Sequence, residues 1–238
     1  MEKGSILTKG SLGLVAIIIV GCLYFFASGD REIETSVPKR QIDSTDEIAR
    51  LLRDRPEELP ELNFPARTAQ VFAKQNYKLV WLSNPKLYAS ALNLLQSVSR
   101  FGLKPSDFHA RRMNEETGDT SKSGKLIPAY ISAKKDIFLT DAVLTLIWQL
   151  HFGKYNPRYR LSQLDDSTFV GFKVDSVLQR AIDAQKLEQE ILLAQPRDSV
   201  YRRLQGYLEH AIDKKPNFSE TDREEWRLIA INLQRWRW

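Results

Sequence analysis

Apolar residues recur every three or four positions along most of this chain, the spacing that gathers side chains on one face of an α-helix. The start of the chain departs from that pattern. No charged residue lies between Lys9 and Asp30, and the apolar run Leu12–Phe26 fills the middle of that interval. Wound as a helix, residues 10–29 reach about 30 Å, the thickness of a bilayer's hydrocarbon core. Lys3 and Lys9 precede the run, while Asp30, Glu32 and Glu34 follow it with Arg31. This charge bias predicts an amino terminus in the cytoplasm and the remainder outside. Two processing readings stand beside the uncleaved anchor. Ala27-Ser28-Gly29 has the small-x-small form of a signal-peptidase site, and Ile19-Val20-Gly21-Cys22 has the form of a lipobox, which would make Cys22 a lipidation site. Leu23–Phe26, which prolongs the apolar run past the cysteine, speaks against the lipobox.

Residues 1–29 therefore form a signal anchor, 30–44 a polar tether, and 45–238 an all-α domain. Ser44-x-x-Glu47 predicts a capped helix with Ile48, Leu51 and Leu52 on one face. A second helix is expected over 67–76, followed by a short extended segment, Tyr77–Trp81. A third begins at Pro85 and stops at Gly102. The polar stretch 111–123 predicts a surface loop. Residues 135–152, apolar on more than one face, predict the central helix, ended by Gly153. Helices over 175–194 and 198–213 are expected on either side of Pro196. A last one opens at Ser219 or Thr221, with Trp226, Ile229, Ala230 and Leu233 on one face.

Composition narrows the chemistry. The formal charge of +5 falls to +4 once residues 1–29 are set aside, and both signs are interspersed, which argues against a nucleic-acid surface. One cysteine and three histidines leave no Cys-His zinc cage and no disulfide within the chain. No glycine-rich phosphate loop and no Gly-x-Ser-x-Gly elbow is present. Neither cofactor nor metal is expected. Four features could still carry chemistry. The histidines His109, His151 and His210 lack a partner at helical spacing, and the adjacent pairs Glu115-Glu116 and Asp165-Asp166 do not face each other on a helix. Ser132-x-x-Lys135 matches the short Ser-x-x-Lys pattern of penicillin-recognising enzymes, though neither Lys-Thr-Gly nor Ser-Asp-Asn follows; a helix amino terminus with Ser132 as cap is the plainer expectation. Trp236, Arg237 and Trp238 are a candidate binding group: two indoles enclosing a guanidinium could stack with it or present a flat face to a sugar.

Several segments together resemble the scaffold domain of the large YcbB-type L,D-transpeptidases, which cross-link peptidoglycan in the periplasm. They are Val71-Phe72 through Tyr77–Trp81, Phe101-Gly102-Leu103-Lys104-Pro105-Ser106-Asp107-Phe108-His109, Asp136–Ala142, Gly153-Lys154-Tyr155-Asn156-Pro157, Pro196 with Tyr201-x-x-Leu204, and Ile231–Trp238. The similarity covers about 66–238. It implies a bacterial, single-pass protein of the cytoplasmic membrane with its ectodomain in the periplasm, and partners that are peptidoglycan or a separate L,D-transpeptidase catalytic domain. It also places the family's catalytic domain after the segment that ends at Trp238, so this chain is read as a scaffold without it, from a truncated or split enzyme or as a stand-alone accessory. The transferase reaction needs a thiolate, and the only thiol is Cys22. No catalytic residue is carried over, and the chain alone is expected to be inactive. The alternative is a non-enzymatic envelope adaptor that binds another cell-wall protein.

Overall fold

The computed structural model describes residues 44–109, 129–159, 165, 171–214 and 219–238, all within one unit, Val37–Trp238. The anchor, the tether up to residue 43, Cys22 and the loop expected at 111–123 lie outside the described residues. Among the described residues the helical spacing of the sequence is realised as eight α-helices: α1 (Ser44–Arg53), α2 (Pro65–Lys74), α3 (Pro85–Gln96), α4 (Ala129–Phe152), α5 (Val174–Asp183), α6 (Leu187–Leu192), α7 (Ser199–Lys214) and α8 (Glu220–Trp236). Short 3₁₀ turns occupy Pro56–Glu58, Val98–Phe101 and Pro105–Phe108. Among the described residues there is no strand, and no helix is long and apolar enough to cross a membrane.

The centre of the fold follows from the composition of α4. Ile, Leu, Val, Phe and Trp occur on every side of it, so no face can be left to water. Ser132, Ala133 and every residue from Lys135 to Leu150 are buried. Helices α1, α2, α3, α5 and α6 pack around it. Burial of each large apolar side chain contributes about 1.5–3 kcal/mol, and Trp81, Phe64, Phe72 and Leu51 each reach 0% exposure in this core. A second, smaller cluster joins α7 to α8 through Tyr201, Leu208, Ile229 and Leu233, with Trp226 packed at its edge.

Buried carboxylates fasten the loops to this centre. Asp136 and Asp141 both lie on α4 and are 0% exposed. Asp136 accepts the backbone N–H groups of Val80 (2.6 Å), Trp81 (3.0 Å) and Leu82 (3.0 Å). The Trp81 indole N–H donates to Thr140 Oγ1 at 2.9 Å, one turn further along. Asp141 accepts from the backbone of Asn63 and Phe64, which leads into α2. The residue that precedes α2, Phe64, has no side-chain oxygen to cap it. Asp165 supplies the cap from elsewhere, accepting Ala66 N–H at 2.7 Å and Arg67 N–H at 2.9 Å.

Three boundaries differ from the sequence expectation, and at a fourth the structure selects one of two expected starts. Helix α4 starts six residues before 135, so Ser132 lies inside the helix and is 2% exposed instead of capping it. The helix expected over 175–194 is two, because Gln185 takes φ +54° and the chain turns there. Asn84 holds that turn by donating from Nδ2 to Gln185 Oε1 at 2.8 Å. At the start of α8, Ser219 is the one of the two expected openings that serves, closing a capping box with Asp222. The segment after α2 begins with a left-handed pair, Asn76 (φ +52°) and Tyr77 (φ +57°), before its backbone reaches Asp136.

Burial pushes the Asp136 carboxyl up to about 7, against the pull of its three N–H donors. Between about pH 4 and 7 the folded chain keeps a proton on Asp136 that the unfolded chain has released. The stability this proton represents is fully present below about pH 4 and is lost as pH rises through 7, by at most about 1.4 kcal/mol per unit. Asp136→Asn should remove that slope. Urea midpoints of parent and variant at pH 4.5, 5.5 and 7 test it: a constant gap between the two would contradict the assignment.

Candidate functional site

Three of the segments singled out in the sequence meet at the end of α8. The turn after the 3₁₀ segment Val98–Phe101 needs a left-handed residue, and Gly102 supplies φ +67°. A Cβ there would lie 2.9 Å from the Ala230 Cα and 3.3 Å from Leu233 Cδ1. The turn that ends α4 is made by Gly153 at φ +76°, where a Cβ would lie 2.9 Å from both Gln234 Oε1 and Trp238 Nε1. Each glycine thus does two things: it stops a helical segment and lets α8 approach the backbone.

Polar contacts complete the seat. Gln234 is 7% exposed and its Oε1 accepts Lys154 N–H at 2.7 Å. Arg237 turns inward and is 4% exposed. Its Nη2 donates to the Phe101 carbonyl at 2.7 Å and to the Tyr201 hydroxyl at 2.8 Å, while Nε also points at that hydroxyl. The Tyr201 hydroxyl in turn donates to Gln195 Oε1 at 2.8 Å. Burial lowers the Arg237 pKa from its ordinary value, and Tyr201 opposes that shift. The last turn of the chain is therefore tied to α7, to the Gly102 turn and to the turn after α4.

The flanking indoles behave differently from the arginine between them. Trp236 is 42% and Trp238 50% exposed, so the sequence triplet Trp236, Arg237, Trp238 divides into one inward cation and two outward rings. Trp238 stands between two cavities. One, of about 320 Å³, lies between the Gly102–Asp107 turn, the Gly153 turn and α8, with Gln149 in its wall. The other, of about 440 Å³, is bounded by His151, Phe172, Pro196 and Arg197. Sequence reasoning named the triplet and both glycines but missed Gln149 and Gln234. A glutamine on an apolar helix carries no sign of what it will face.

Of the remaining candidates, His109, His151 and Asp165 support the fold, His210 is exposed on α7, and Glu115, Glu116 and Asp166 lie outside the described residues. Ser132 and Lys135 are both buried within α4, and neither borders the two cavities beside Trp238. His109, on a left-handed residue at φ +53°, donates from Nε2 to Asp141 Oδ2 at 2.7 Å and sits edge-on to Phe138. His151 stacks on Phe172 at 3.7 Å and contacts the Ala194 carbonyl at 3.0 Å; burial lowers its pKa. Among the described residues no group of three or more His, Cys, Asp or Glu could hold a metal ion.

The model of one protein family, the Scaffold domain, matches residues 66–208, which is 143 of the 238 residues. No curated protein and no solved structure matches the chain. The matched span runs from α2 into α7 and contains the Gly102 and Gly153 turns, while α8 lies beyond it. With more than half its length matched, the chain belongs to the Scaffold domain family, a domain of L,D-transpeptidase-type proteins.

Proposed function

We propose that this chain is the non-catalytic scaffold module of an L,D-transpeptidase-type cell-wall protein, positioning a catalytic domain or peptidoglycan while peptide cross-links form. In this reading residues 10–29 tether it to the bacterial cytoplasmic membrane and the helical domain stands in the periplasm. The family match over 66–208 carries the proposal. Its non-catalytic character rests on chemistry: acyl transfer through a thioester needs an accessible thiolate, and the single cysteine, Cys22, falls in the apolar segment. The triple fastening of the α8 end suits a part that must hold something at a fixed angle. A second reading, an envelope adaptor for another protein, draws on the exposed apolar residues Leu228 and Ile231 of α8.

Retention experiments separate the two. The full-length chain, immobilised in non-ionic detergent, is offered purified peptidoglycan and, separately, an L,D-transpeptidase catalytic domain. Retention of either is the expected result. Retention of neither would remove the scaffold reading and leave the adaptor.

A further inference from the structure

We infer that the cavity between α8, the Gly102–Asp107 turn and the turn after α4 binds a small ligand that carries both an amide and a carboxylate, such as an N-acylated short peptide. The first observation is a side chain left unsatisfied. Gln149 is 3% exposed, lies in the cavity wall, and its Oε1 has no hydrogen-bond partner. A buried acceptor without a partner costs about 1–3 kcal/mol, and its neighbour Gln234 avoids that cost by accepting Lys154 N–H. Asp107, which also lines the cavity, shows the same feature: Oδ1 accepts Lys154 Nζ at 2.7 Å, whereas Oδ2 is buried and unpartnered. Two residues of the cavity wall thus each hold a buried acceptor without a donor, and a ligand amide N–H is such a donor once either side chain turns toward it.

The second observation is charge. Of the basic residues around the cavity, Lys154 pairs with Asp107 and Arg227 with Glu224. Lys104 and Arg235 border it with no ion-pair partner among the described residues. They are placed to receive a carboxylate. Leu103, Ala230, Ile231 and Trp238 supply apolar lining beside these polar groups. A volume of about 320 Å³ holds a ligand of dipeptide size. The proposal rests on the scaffold reading only for where the ligand comes from, since both a cell-wall peptide and a free peptide have this chemistry.

The probe is N-acetyl-alanyl-alanine, titrated calorimetrically into the full-length chain in detergent, with its methyl ester as the uncharged comparison. Saturable binding is expected, weakened at least ~10-fold for the ester, the scale of one lost charge-assisted contact. Gln149→Met removes the amide at similar size. It should weaken binding about as much while leaving the melting temperature at or above the parent's, because an unsatisfied buried group has gone. Arg235→Glu, on the exposed rim, should weaken binding whatever Gln149→Met does to folding. The proposal is overturned if the parent shows no saturable binding, or if it binds equally well after both substitutions. Competition by intact peptidoglycan would assign the ligand to the cell wall. Binding without competition would assign it to free peptides, and the scaffold reading would then stand or fall on its own retention experiment.

Discussion

Asp141→Ala is expected to lower the stability of the domain by about 4 kcal/mol, out of the ~5–15 kcal/mol typical of a folded domain. The carboxylate is 0% exposed and receives Phe64 N–H at 2.7 Å, Asn63 N–H at 3.0 Å, His109 Nε2 at 2.7 Å and the Thr68 hydroxyl at 3.4 Å. Alanine leaves these donors without their acceptor, and those of Phe64 and Thr68, both 0% exposed, are cut off from solvent. The damage should be local in origin: the segment that leads into α2 detaches from α4 first, and with it the cap that Asp165 places on α2. Asp141→Asn should fall between parent and alanine, because one oxygen remains but the new NH₂ group opposes a donor. Urea unfolding at neutral pH reads both. An unchanged midpoint for Asp141→Ala would mean that the loop is held by apolar packing alone.

The second large effect is expected at Gly102. Valine there must adopt φ +67°, which costs about 1–2 kcal/mol for a residue with a Cβ. That atom would also meet the Ala230 backbone at 2.9 Å, and backbone cannot move aside as a side-chain tip can. Helix α8 would have to lift from the turn, loosening the Arg237 bond to the Phe101 carbonyl. A total loss of about 3 kcal/mol follows, with hydrogen-exchange protection lost first in α8. Gly206 is the counterexample within the same domain. It lies inside α7 with nothing within 4 Å of a built Cβ, so Gly206→Ala should stabilise by about 0.5–1 kcal/mol. Equal effects at the two glycines would refute the seating of α8 on Gly102.

Much of this architecture could be read from the chain before the structure. Helical spacing located α1, α2, α3, α7 and α8 to within a few residues, and the apolar character of 135–152 identified the central helix. Those signals are local, and local signals survive translation into structure. What escaped was tertiary in origin. Gln185 is not a residue type that announces a left-handed turn, and beside the local bonds to Ala181 and Ile182 the turn is fastened by Asn84, far away in the chain. Asp136 and Asp141 stood out only as part of the Asp136–Ala142 segment of the resemblance, since an aspartate's role as a loop fastener depends on where remote N–H groups arrive. The candidate site was legible in part. Its glycines and tryptophans stood out by type, whereas the inward turn of Arg237 depends on the Phe101 carbonyl and the Tyr201 hydroxyl, which only the folded chain brings beside it.

The scaffold reading meets its most direct test in cross-link formation by a supplied catalytic domain. An L,D-transpeptidase catalytic domain is incubated with peptidoglycan fragments, with and without the full-length chain in detergent, and the cross-linked products are separated and counted. The account predicts that the chain alone forms none, that it raises the yield of the catalytic domain, and that Gly102→Val abolishes the gain. Cross-links formed by the chain alone, or a yield unchanged by its addition, would contradict it.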